Sequence, residues 1–386
     1  GATSAACQLA RLVCGGHRQK RRTVVFAGPF EHHSNLLPWR EAGAAVVEVP
    51  AHPETGVDLE ALDALLAREK SRREGVHARL VGAFSAASNV SGRRVDVDAV
   101  ATTLKKHGAV ACFDYATLAP HEAPRVSSSG GCDVDAVFFS THKFLGGPGG
   151  PGVLVVKKAL IDSQEAPSLP GGGTVFFATR ATHRYVSNRV EREQGGTPDV
   201  VGVCRAGLAV KLARALQQQQ QHSATRLRRD KGDLLRVLDD TTLADGRLVV
   251  LDHLETRPRR SVDTDLPILP VVVRCGARCL HWDFVCRVLN DVFGVQARGG
   301  CQCAGPYAHV LLGISEAASE ALELALLTRK DSEALRPGFA RLSFGPTRAQ
   351  ASDAEVAYAL AALAAVAEAA RRDGVGDAYR RTVDGA

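Results

Sequence analysis

The sequence predicts a three-layer α/β domain with a mainly parallel sheet, followed by a smaller α+β domain. One observation is the length of 386 residues, which exceeds what a single hydrophobic core usually holds, together with a hydrophobic content of 45%, which suffices to fill two. The other is an alternation of short β-branched runs with helix-like segments, which ends near residue 158. Strands that alternate with helices pair in parallel and are covered on both faces.

The first part of the chain contains a series of apolar segments of strand length. They are residues 23–26, 45–49, 78–83, 109–113, 136–139 and 152–156. Helix-like segments lie between them at 59–70 and 97–107. A long predicted helix at 199–216 follows the Gly- and Pro-rich loops, and the glutamine tract 217–221 is interpreted as its solvated end or as a tolerated insertion.

The pattern changes after residue 234 to a few strands and helices of a smaller domain. The predicted strands are 247–251, 268–273 and 340–344, and the predicted helices are 281–293 and 353–371. The last helix carries its apolar residues on one stripe, which is typical of core packing. The predicted domains are therefore a large one at 1–221 and a small one at 222–386.

Composition excludes several classes of protein. A formal charge of +6, from 48 basic and 42 acidic residues scattered along the chain, is not typical of a nucleic-acid-binding protein. No apolar run reaches the roughly 20 residues of a membrane span. The ten cysteines lack the density of a secreted disulfide scaffold, so we expect reduced thiols and an intracellular location, in the cytoplasm or an organelle. Cys275, Cys279 and Cys286 have no further pair at zinc-site spacing, so no metal site is predicted.

Two neighbouring strand ends carry residues suited to pyridoxal phosphate. Lys143 can hold this cofactor as a Schiff base, and Asp114 can stabilise the protonated pyridine nitrogen that makes the ring an electron sink. Ser140 and His142, on the same turn as the lysine, can donate hydrogen bonds to the phosphate. Taken alone, such a His-Lys pair is more often a surface turn before a glycine loop.

Two further strand ends carry candidate side chains. His32 follows the strand at 23–26, and its ring can stack on an aromatic cofactor while still moving protons. Asn89, after the strand at 78–83, can hydrogen-bond the phenolic oxygen of the cofactor or the substrate. Either side chain can instead be an ordinary loop cap.

Six motifs occur together in one order along almost the whole chain. They are Glu-His-His-Ser-Asn at 31–35, Ser-Asn-Val-Ser-Gly at 88–92, the Asp114 strand, Ser-Thr-His-Lys at 140–143, Gly-Gly-Thr-Pro at 195–198, and Arg-Gly-Gly-Cys-Gln-Cys-Ala-Gly-Pro at 298–306. This set resembles the class V aminotransferases, and within them the cysteine desulfurase and selenocysteine lyase branch. The resemblance implies the type I pyridoxal-phosphate-dependent transferase fold, and it implies the roles above for Lys143, Asp114, His32, Ser140 and His142.

The same resemblance implies further contacts. Thr3, in a turn that starts a helix, is expected to bind the phosphate together with backbone amides. Thr197 is expected to reach the phosphate of a neighbouring subunit, which implies a homodimer. Arg341 matches the arginine that binds the substrate carboxylate, a bidentate role suited to guanidinium, and Arg298 matches a second substrate-side arginine. Members of the family have a long segment before the Gly1 turn, and the chain contains no methionine, so we expect an N-terminally truncated fragment.

Cys303 lies where desulfurases keep the thiol that takes sulfur from the substrate as a persulfide. This implies removal of sulfur from L-cysteine, with L-alanine as the product. Cys303 must then be an exposed thiol in an electropositive setting, which Arg298 and backbone amides can supply. The alternatives are transamination, or an α- or β-elimination on a small amino acid with Cys303 as a bystander, and a cofactor-binding scaffold or regulatory subunit without activity.

Overall fold

The computed structural model describes the chain as two compact units. The described residues are 1–15, 22–72, 78–126, 133–162, 165–222, 229–238, 243, 245–252, 265–276, 278–329, 332–345 and 351–370. The first unit comprises residues 1–88 and 95–223, and the second comprises 89–94 and 224–386. The short segment 89–94 therefore belongs to the second unit, although it lies between two parts of the first. The division into domains after residue 221 stays a prediction.

The first unit is built on a six-stranded sheet in the order β2-β1-β5-β6-β7-β8. Its strands are β1 Thr23–Ala27, β2 Ala45–Glu48, β5 Arg79–Ser85, β6 Val110–Asp114, β7 Ala136–Ser140 and β8 Gly152–Val156, with the short strands β3 Ala51–His52 and β4 Gly56–Val57 paired separately. Neighbours pair in parallel except for β8, which is antiparallel to β7. The predicted α/β fold with a mainly parallel sheet is confirmed, and each predicted strand end is correct to within two residues.

Helices cover both faces of this sheet. They are α1 Ala2–Cys14, α2 Leu37–Glu41, α3 Leu59–Ser71 and α4 Val97–Lys106. Val81 and Ala83 of β5 share a core cluster with α1, whereas a Cβ added to Gly82, between them, would lie 2.3 Å from Leu104 of α4. Successive side chains of a strand point to opposite faces, so α1 and α4 pack on opposite sides and make three layers.

The first unit continues with a hairpin and two helices. These are β9 Val175–Ala178, β10 His183–Tyr185, α5 Arg189–Arg192 and α6 Val200–His222. The predicted long helix is confirmed, and it extends through the glutamine tract. Within the described part of the chain, no helix is both long and apolar enough to span a membrane.

The second unit contains a four-stranded antiparallel sheet, in which β12 pairs with β11, β13 and β14. Its elements are α7 Lys231–Val237, β11 Leu248–Val250, β12 Ile268–Cys275, β13 Arg278–Cys279, α8 Trp282–Phe293, α9 Gly305–Leu311, α10 Glu316–Thr328, β14 Ala340–Ser343 and α11 Asp353–Ala369. Apolar side chains of β12, α8 and α11 share one buried core cluster. The predicted C-terminal strands and helices are thus confirmed.

Buried polar contacts hold the segment 89–94 within the second unit. Lys231, whose side chain is fully buried, donates from Nζ to the carbonyl oxygen of Ser91 at 2.8 Å and forms an ion pair with Asp252. The backbone nitrogen of Leu266 donates to the carbonyl of Gly92 at 2.9 Å. Gly92 has φ of 75°, and a Cβ there would lie 2.4 Å from the Leu266 carbonyl oxygen, so this position requires glycine.

We expect Lys231→Ala to lower the free energy of unfolding by about 3–5 kcal/mol, because it leaves the Asp252 carboxylate buried without its cation. Urea unfolding followed by circular dichroism measures this change. Lys106→Ala is the matched control, since its ion pair with Asp63 is exposed to solvent and should be worth less than about 1 kcal/mol. Equal losses in the two variants would contradict a buried pair at Lys231.

Candidate active site

The carboxyl ends of β6 and β7 bring the predicted cofactor residues to one edge of the sheet. β6 ends at Asp114, β7 ends at Ser140, and Asp114 pairs in register with Phe138. A 3-10 turn, Thr141–Lys143, follows β7 directly and carries His142 and Lys143, both exposed. Ligands of open α/β sheets bind at this edge, outside the carboxyl ends of the strands.

Asp114 is a buried carboxylate with limited compensation for its charge. Its Oδ1 accepts a hydrogen bond from the backbone nitrogen of Ala116 at 2.7 Å. Burial raises the pKa of Asp114 to about 6, while this hydrogen bond and the positive charge of Lys143 act in the opposite direction. The lysine therefore lies close enough to Asp114 to influence its charge. A cationic ring nitrogen next to Asp114 would favour the charged carboxylate further.

The N-terminus of α1 packs against the turn that carries the lysine. The backbone nitrogen of Ala2 donates to Ser140 Oγ at 2.8 Å, and a Cβ on Gly1 would lie 3.3 Å from Cε1 of the His142 ring. A Cβ on Gly152 would lie 2.2 Å from the carbonyl oxygen of Gly1, so this position of β8 requires glycine. The first turn of α1 contains no acidic residue, and its amides and dipole suit an anion.

Thr3 and His142 border the same helix start. Thr3 is exposed, and its Oγ1 lies 2.8 Å from Oγ of Ser34, which places a pair of hydroxyls beside the first turn of α1. Burial, and next the charge of Lys143, lower the pKa of His142, which favours the neutral ring. The turn thus offers hydroxyls, a neutral imidazole and helix amides as donors to a phosphate.

His32 is fixed in orientation by the turn that follows it. It is the N-cap of the 3-10 turn His33–Asn35, and its Nδ1 accepts a hydrogen bond from the backbone nitrogen of Ser34 at 3.0 Å. A neutral imidazole that accepts at Nδ1 carries its proton on Nε2. His32 is half-buried, as a ring that stacks on a cofactor requires.

Glu31 is a residue of this site that the sequence reasoning missed. Its buried carboxylate accepts hydrogen bonds from the backbone nitrogen and hydroxyl of Ser85, both at 2.7 Å, and from Nδ2 of Asn35 at 2.6 Å. Ser85 pairs in register with Asp114, so Glu31 connects the loop that carries His32 to the strand next to Asp114. Burial raises the pKa of Glu31 to about 7, hydrogen bonds from Ser85 and Asn35 oppose this, and the charge of Asp114 raises it further. The signal in the sequence was an acidic residue directly before the two histidines.

The second unit brings together the predicted substrate-side residues. Arg298 and Arg341 form an antiparallel backbone bridge, with N···O distances of 3.0 and 2.8 Å. Nη1 of Arg341 donates to the carbonyl oxygen of Asn89 at 2.7 Å. Burial lowers the pKa of Arg341 to about 10, Arg298 lowers it as well, and Cys303 acts in the opposite direction. An anion near Arg341 would therefore relieve an unfavourable environment.

Cys303 lies in a tight turn beside these arginines. Nη2 of Arg298 donates to Sγ of Cys303 at 3.3 Å, and the sulfur is partly exposed. Nδ2 of Asn89 donates to the carbonyl oxygen of Gln302 at 2.8 Å, so the bond found for this amide is to the turn. The predicted role of Asn89 toward a cofactor or substrate stays a prediction.

Thr197 lies apart from the contacts described above. It is exposed in the first unit, in the segment between α5 and α6, directly after Gly196, whose φ is 81°. Its predicted role toward a neighbouring subunit stays a prediction. Among the described residues, no cluster of His, Cys, Asp or Glu side chains could hold a metal ion.

A buried carboxylate, a turn that carries a lysine, and a helix N-terminus thus lie at one edge of an α/β sheet, an arrangement suited to pyridoxal phosphate. The chain belongs to the family described as Aminotransferase class-V, whose model matches residues 1–352. This family is pyridoxal-phosphate-dependent.

Curated proteins similar to this chain include cysteine desulfurases. A probable cysteine desulfurase of Chlamydia muridarum is 34% identical over 287 residues, which cover 73% of this chain and 64% of that protein. A cysteine desulfurase of Escherichia coli O139:H28 is 31% identical over 197 residues, which cover 50% of this chain and 45% of that protein. The chain thus spans less than two thirds of the length of these relatives.

Solved structures confirm the fold. The apo cysteine desulfurase of Thermococcus onnurineus NA1 has a TM-score of 0.68 at 23% identity, over 95% of this chain and 78% of that one. The cysteine desulfurase CsdA of Escherichia coli has a TM-score of 0.69 at 22% identity, over 95% and 77%. The predicted type I fold and the predicted family are confirmed.

We expect Glu31 to make the protein less stable as pH rises. Its pKa is raised from 4.5 to about 7 in the folded state, so the folded protein binds the extra proton between these values. This contribution is fully present below pH 4.5 and is lost as pH rises through 7. Over this pH range the free energy of unfolding should fall by ~3 kcal/mol more in the wild type than in Glu31→Gln.

Urea unfolding of the wild type and the variant at several pH values between 4.5 and 8 measures this difference. Glu60→Gln, an exposed glutamate of α3, is the control and should leave the profile unchanged. Parallel profiles for the wild type and Glu31→Gln would show that Glu31 does not hold a proton in the folded state.

Proposed function

We propose that this protein is a pyridoxal-phosphate-dependent cysteine desulfurase, which converts L-cysteine to L-alanine and holds the sulfur as a persulfide on Cys303. The observation that carries this proposal is the hydrogen bond from Arg298 to the Cys303 sulfur, together with the backbone bridge between Arg298 and Arg341. The names of the curated relatives support the same reaction.

The residues of the first unit fit pyridoxal phosphate. Asp114 is a buried carboxylate that a protonated ring nitrogen would stabilise, and Lys143 lies close enough to act on its charge. Ser140, His142 and Thr3 surround the N-terminus of α1 and would hold the phosphate, and His32 would stack on the ring. When bound, the cofactor supplies an electron sink that stabilises negative charge at the substrate α carbon.

Residues of the chain itself then bind the substrate and move its proton. Arg341 binds the substrate carboxylate, and Arg298 supports it, because a desolvated guanidinium gains from a bidentate anion. Lys143 Nζ takes the proton from the substrate α carbon and returns a proton to it after the sulfur has left, which restores the α hydrogen of L-alanine. Asn89, whose backbone carbonyl oxygen accepts a hydrogen bond from Nη1 of Arg341, borders the same carboxylate site.

Cys303 accepts the sulfur atom. Its thiolate forms an S–S bond to the substrate sulfur as the bond between that sulfur and the β carbon breaks. The electron pair stays with the β carbon, which takes a proton to become the methyl group of alanine. A reduced Cys303 is required, so we propose that the protein works in a reducing compartment, the cytoplasm or an organelle.

We expect the protein incubated with pyridoxal phosphate to show a visible absorbance band that Lys143→Ala lacks. Addition of L-cysteine should yield alanine and a Cys303 persulfide, detected by peptide mass spectrometry. Cys303→Ser should keep the band and lose alanine formation by at least about a hundredfold, because the sulfur has no acceptor. Cys279→Ser, at an exposed cysteine of β13, is the control and should keep full activity.

Other outcomes would redirect the proposal. A lysine-dependent band without alanine from cysteine, but with a keto acid from another amino acid, would indicate an aminotransferase. Equal activity of Cys303→Ser would make this cysteine a bystander. No lysine-dependent band would contradict the proposal as a whole.

We propose further that the protein is a homodimer in which Thr197 reaches the phosphate of the partner. Apolar side chains on the surface of the first unit support this. On the β9–β10 hairpin, Phe176 is 76% exposed and Phe177 is 61% exposed, and on α6, Val201 is 72% exposed and Leu208 is 69% exposed. Apolar patches of this kind mark interfaces in soluble proteins, and homodimers with two-fold symmetry are the commonest.

We expect Phe176→Asp to convert the dimer to a monomer, because it places a charge in an apolar interface. Sedimentation velocity measures the mass, and cofactor titration should show at least about tenfold weaker binding, since Thr197 then has no partner site. Val292→Asp, at an exposed valine of α8 in the second unit, is the control. A wild-type monomer would contradict the proposal.

A further inference from the structure

The turn that carries Cys303 has an unusual backbone. The backbone nitrogen of Ala304 donates to the carbonyl oxygen of Cys301 at 3.1 Å, which closes a four-residue turn. Its central residues, Gln302 and Cys303, have φ of 59° and 58°, and they are the only non-glycine residues with positive φ in the described part of the chain. Positive φ at both central positions defines a type I′ turn, which ordinarily uses Asn and Gly. Such a conformation persists only where neighbouring contacts impose it.

Gln302 supplies these contacts from within the turn. Its side chain is buried, and Nε2 donates to the carbonyl oxygens of Arg298 and Gly300 at 3.0 and 3.2 Å. The amide thus spans the loop from its start to its centre. A shorter side chain, or an apolar one, would leave both carbonyl oxygens without this donor.

Asn89 holds the same residue from outside the turn. Its Nδ2 donates to the carbonyl oxygen of Gln302, while its own carbonyl oxygen accepts from Nη1 of Arg341. The position of the turn is therefore tied to the arginine that we propose for the substrate carboxylate.

The loop before the turn is closely packed at its glycines. A Cβ on Gly299 would lie 2.2 Å from Cε3 of the Trp282 ring, and a Cβ on Gly338 would lie 2.6 Å from Cα of Gly300. Gly300 itself has φ of 96°. Close backbone packing on one side and the Gln302 amide on the other thus support the arrangement in which Arg298 contacts the sulfur.

We propose that Gln302 is a positioning residue, which holds Cys303 in the left-handed turn so that its sulfur stays beside Arg298 and in fixed register with Arg341. The inference rests on the proposed function, because the step that needs this placement is sulfur transfer to Cys303. Gln302 takes no part in removal of the α proton, which belongs to Lys143.

Gln302→Asn is the decisive variant. Asparagine tolerates the left-handed conformation but is one methylene shorter, so its amide cannot reach the carbonyls of Arg298 and Gly300. Gln302→Gly is the second variant, because glycine relieves the backbone and also lacks the side-chain donor. Cys301→Ser is the matched control on the same turn.

Two rates measured on the holoenzyme separate positioning from general damage. The first is deuterium uptake from heavy water at the α carbon of L-alanine, which needs Lys143 but no thiol. The second is persulfide formation on Cys303 from L-cysteine. We expect Gln302→Asn and Gln302→Gly to slow persulfide formation about tenfold, the scale of one or two lost hydrogen bonds, with deuterium uptake within about twofold of the wild type.

A third measurement needs no cofactor. Alkylation of Cys303 by iodoacetamide, compared with the exposed Cys279 of the same molecule, should slow about threefold or more in both Gln302 variants, since the sulfur loses a fixed cationic donor. Cys301→Ser should change none of these rates.

An equal fall in both holoenzyme rates, or unchanged alkylation of Cys303, would overturn the positioning role. If the wild type takes up no deuterium, the proposed function fails, and the alkylation measurement alone then decides whether Gln302 positions the thiol.

Discussion

Burial of the Asp114 carboxylate is the constraint on which the first unit depends. A carboxylate removed from water must be compensated or it takes up a proton, and the backbone amide of Ala116 and the charge of Lys143 compensate it only in part. The register of β6 with β5 and β7 places this group between the Ser85 and Phe138 strands. The backbone amide of Ala116 and the charge of Lys143 stabilise the charged carboxylate, and Ser85 lies beside it in the neighbouring strand.

Glu31 extends this constraint to the neighbouring loop. Its carboxylate is also buried, and it is tied to Ser85 at the end of the strand next to Asp114. The charge of Asp114 raises the pKa of Glu31, so the charged form of Glu31 is disfavoured while Asp114 is ionised. A cationic group near Asp114 would therefore also change the surroundings of Glu31, in the loop that carries His32.

The sequence predicted the parts of the site that depend on local pattern. Apolar runs predicted the strands. Asp114, Ser140 and Lys143 stand at or just after two strand ends, and they were predicted to lie near one another because a parallel sheet brings its strand ends to one edge. The family and fold were predicted from ordered motifs and are confirmed. Glu31 and Gln302 were missed, since their importance depends on burial and on partners 54 residues away at Ser85 or 213 residues away at Asn89. No periodicity in the sequence carries that information.

In the second unit, two arginines, Arg298 and Arg341, lie close together, and one of them is largely buried. Their backbones are bridged, so two like charges are held near each other, and burial makes Arg341 costly to keep charged. A carboxylate provides two acceptors for a guanidinium and relieves both penalties together, whereas a neutral ligand relieves neither. An anionic group beside the pair would therefore be favoured over a neutral one. The sulfur of Cys303 opposes the same penalty on Arg341. The charge on this sulfur therefore affects the cost of keeping Arg341 charged.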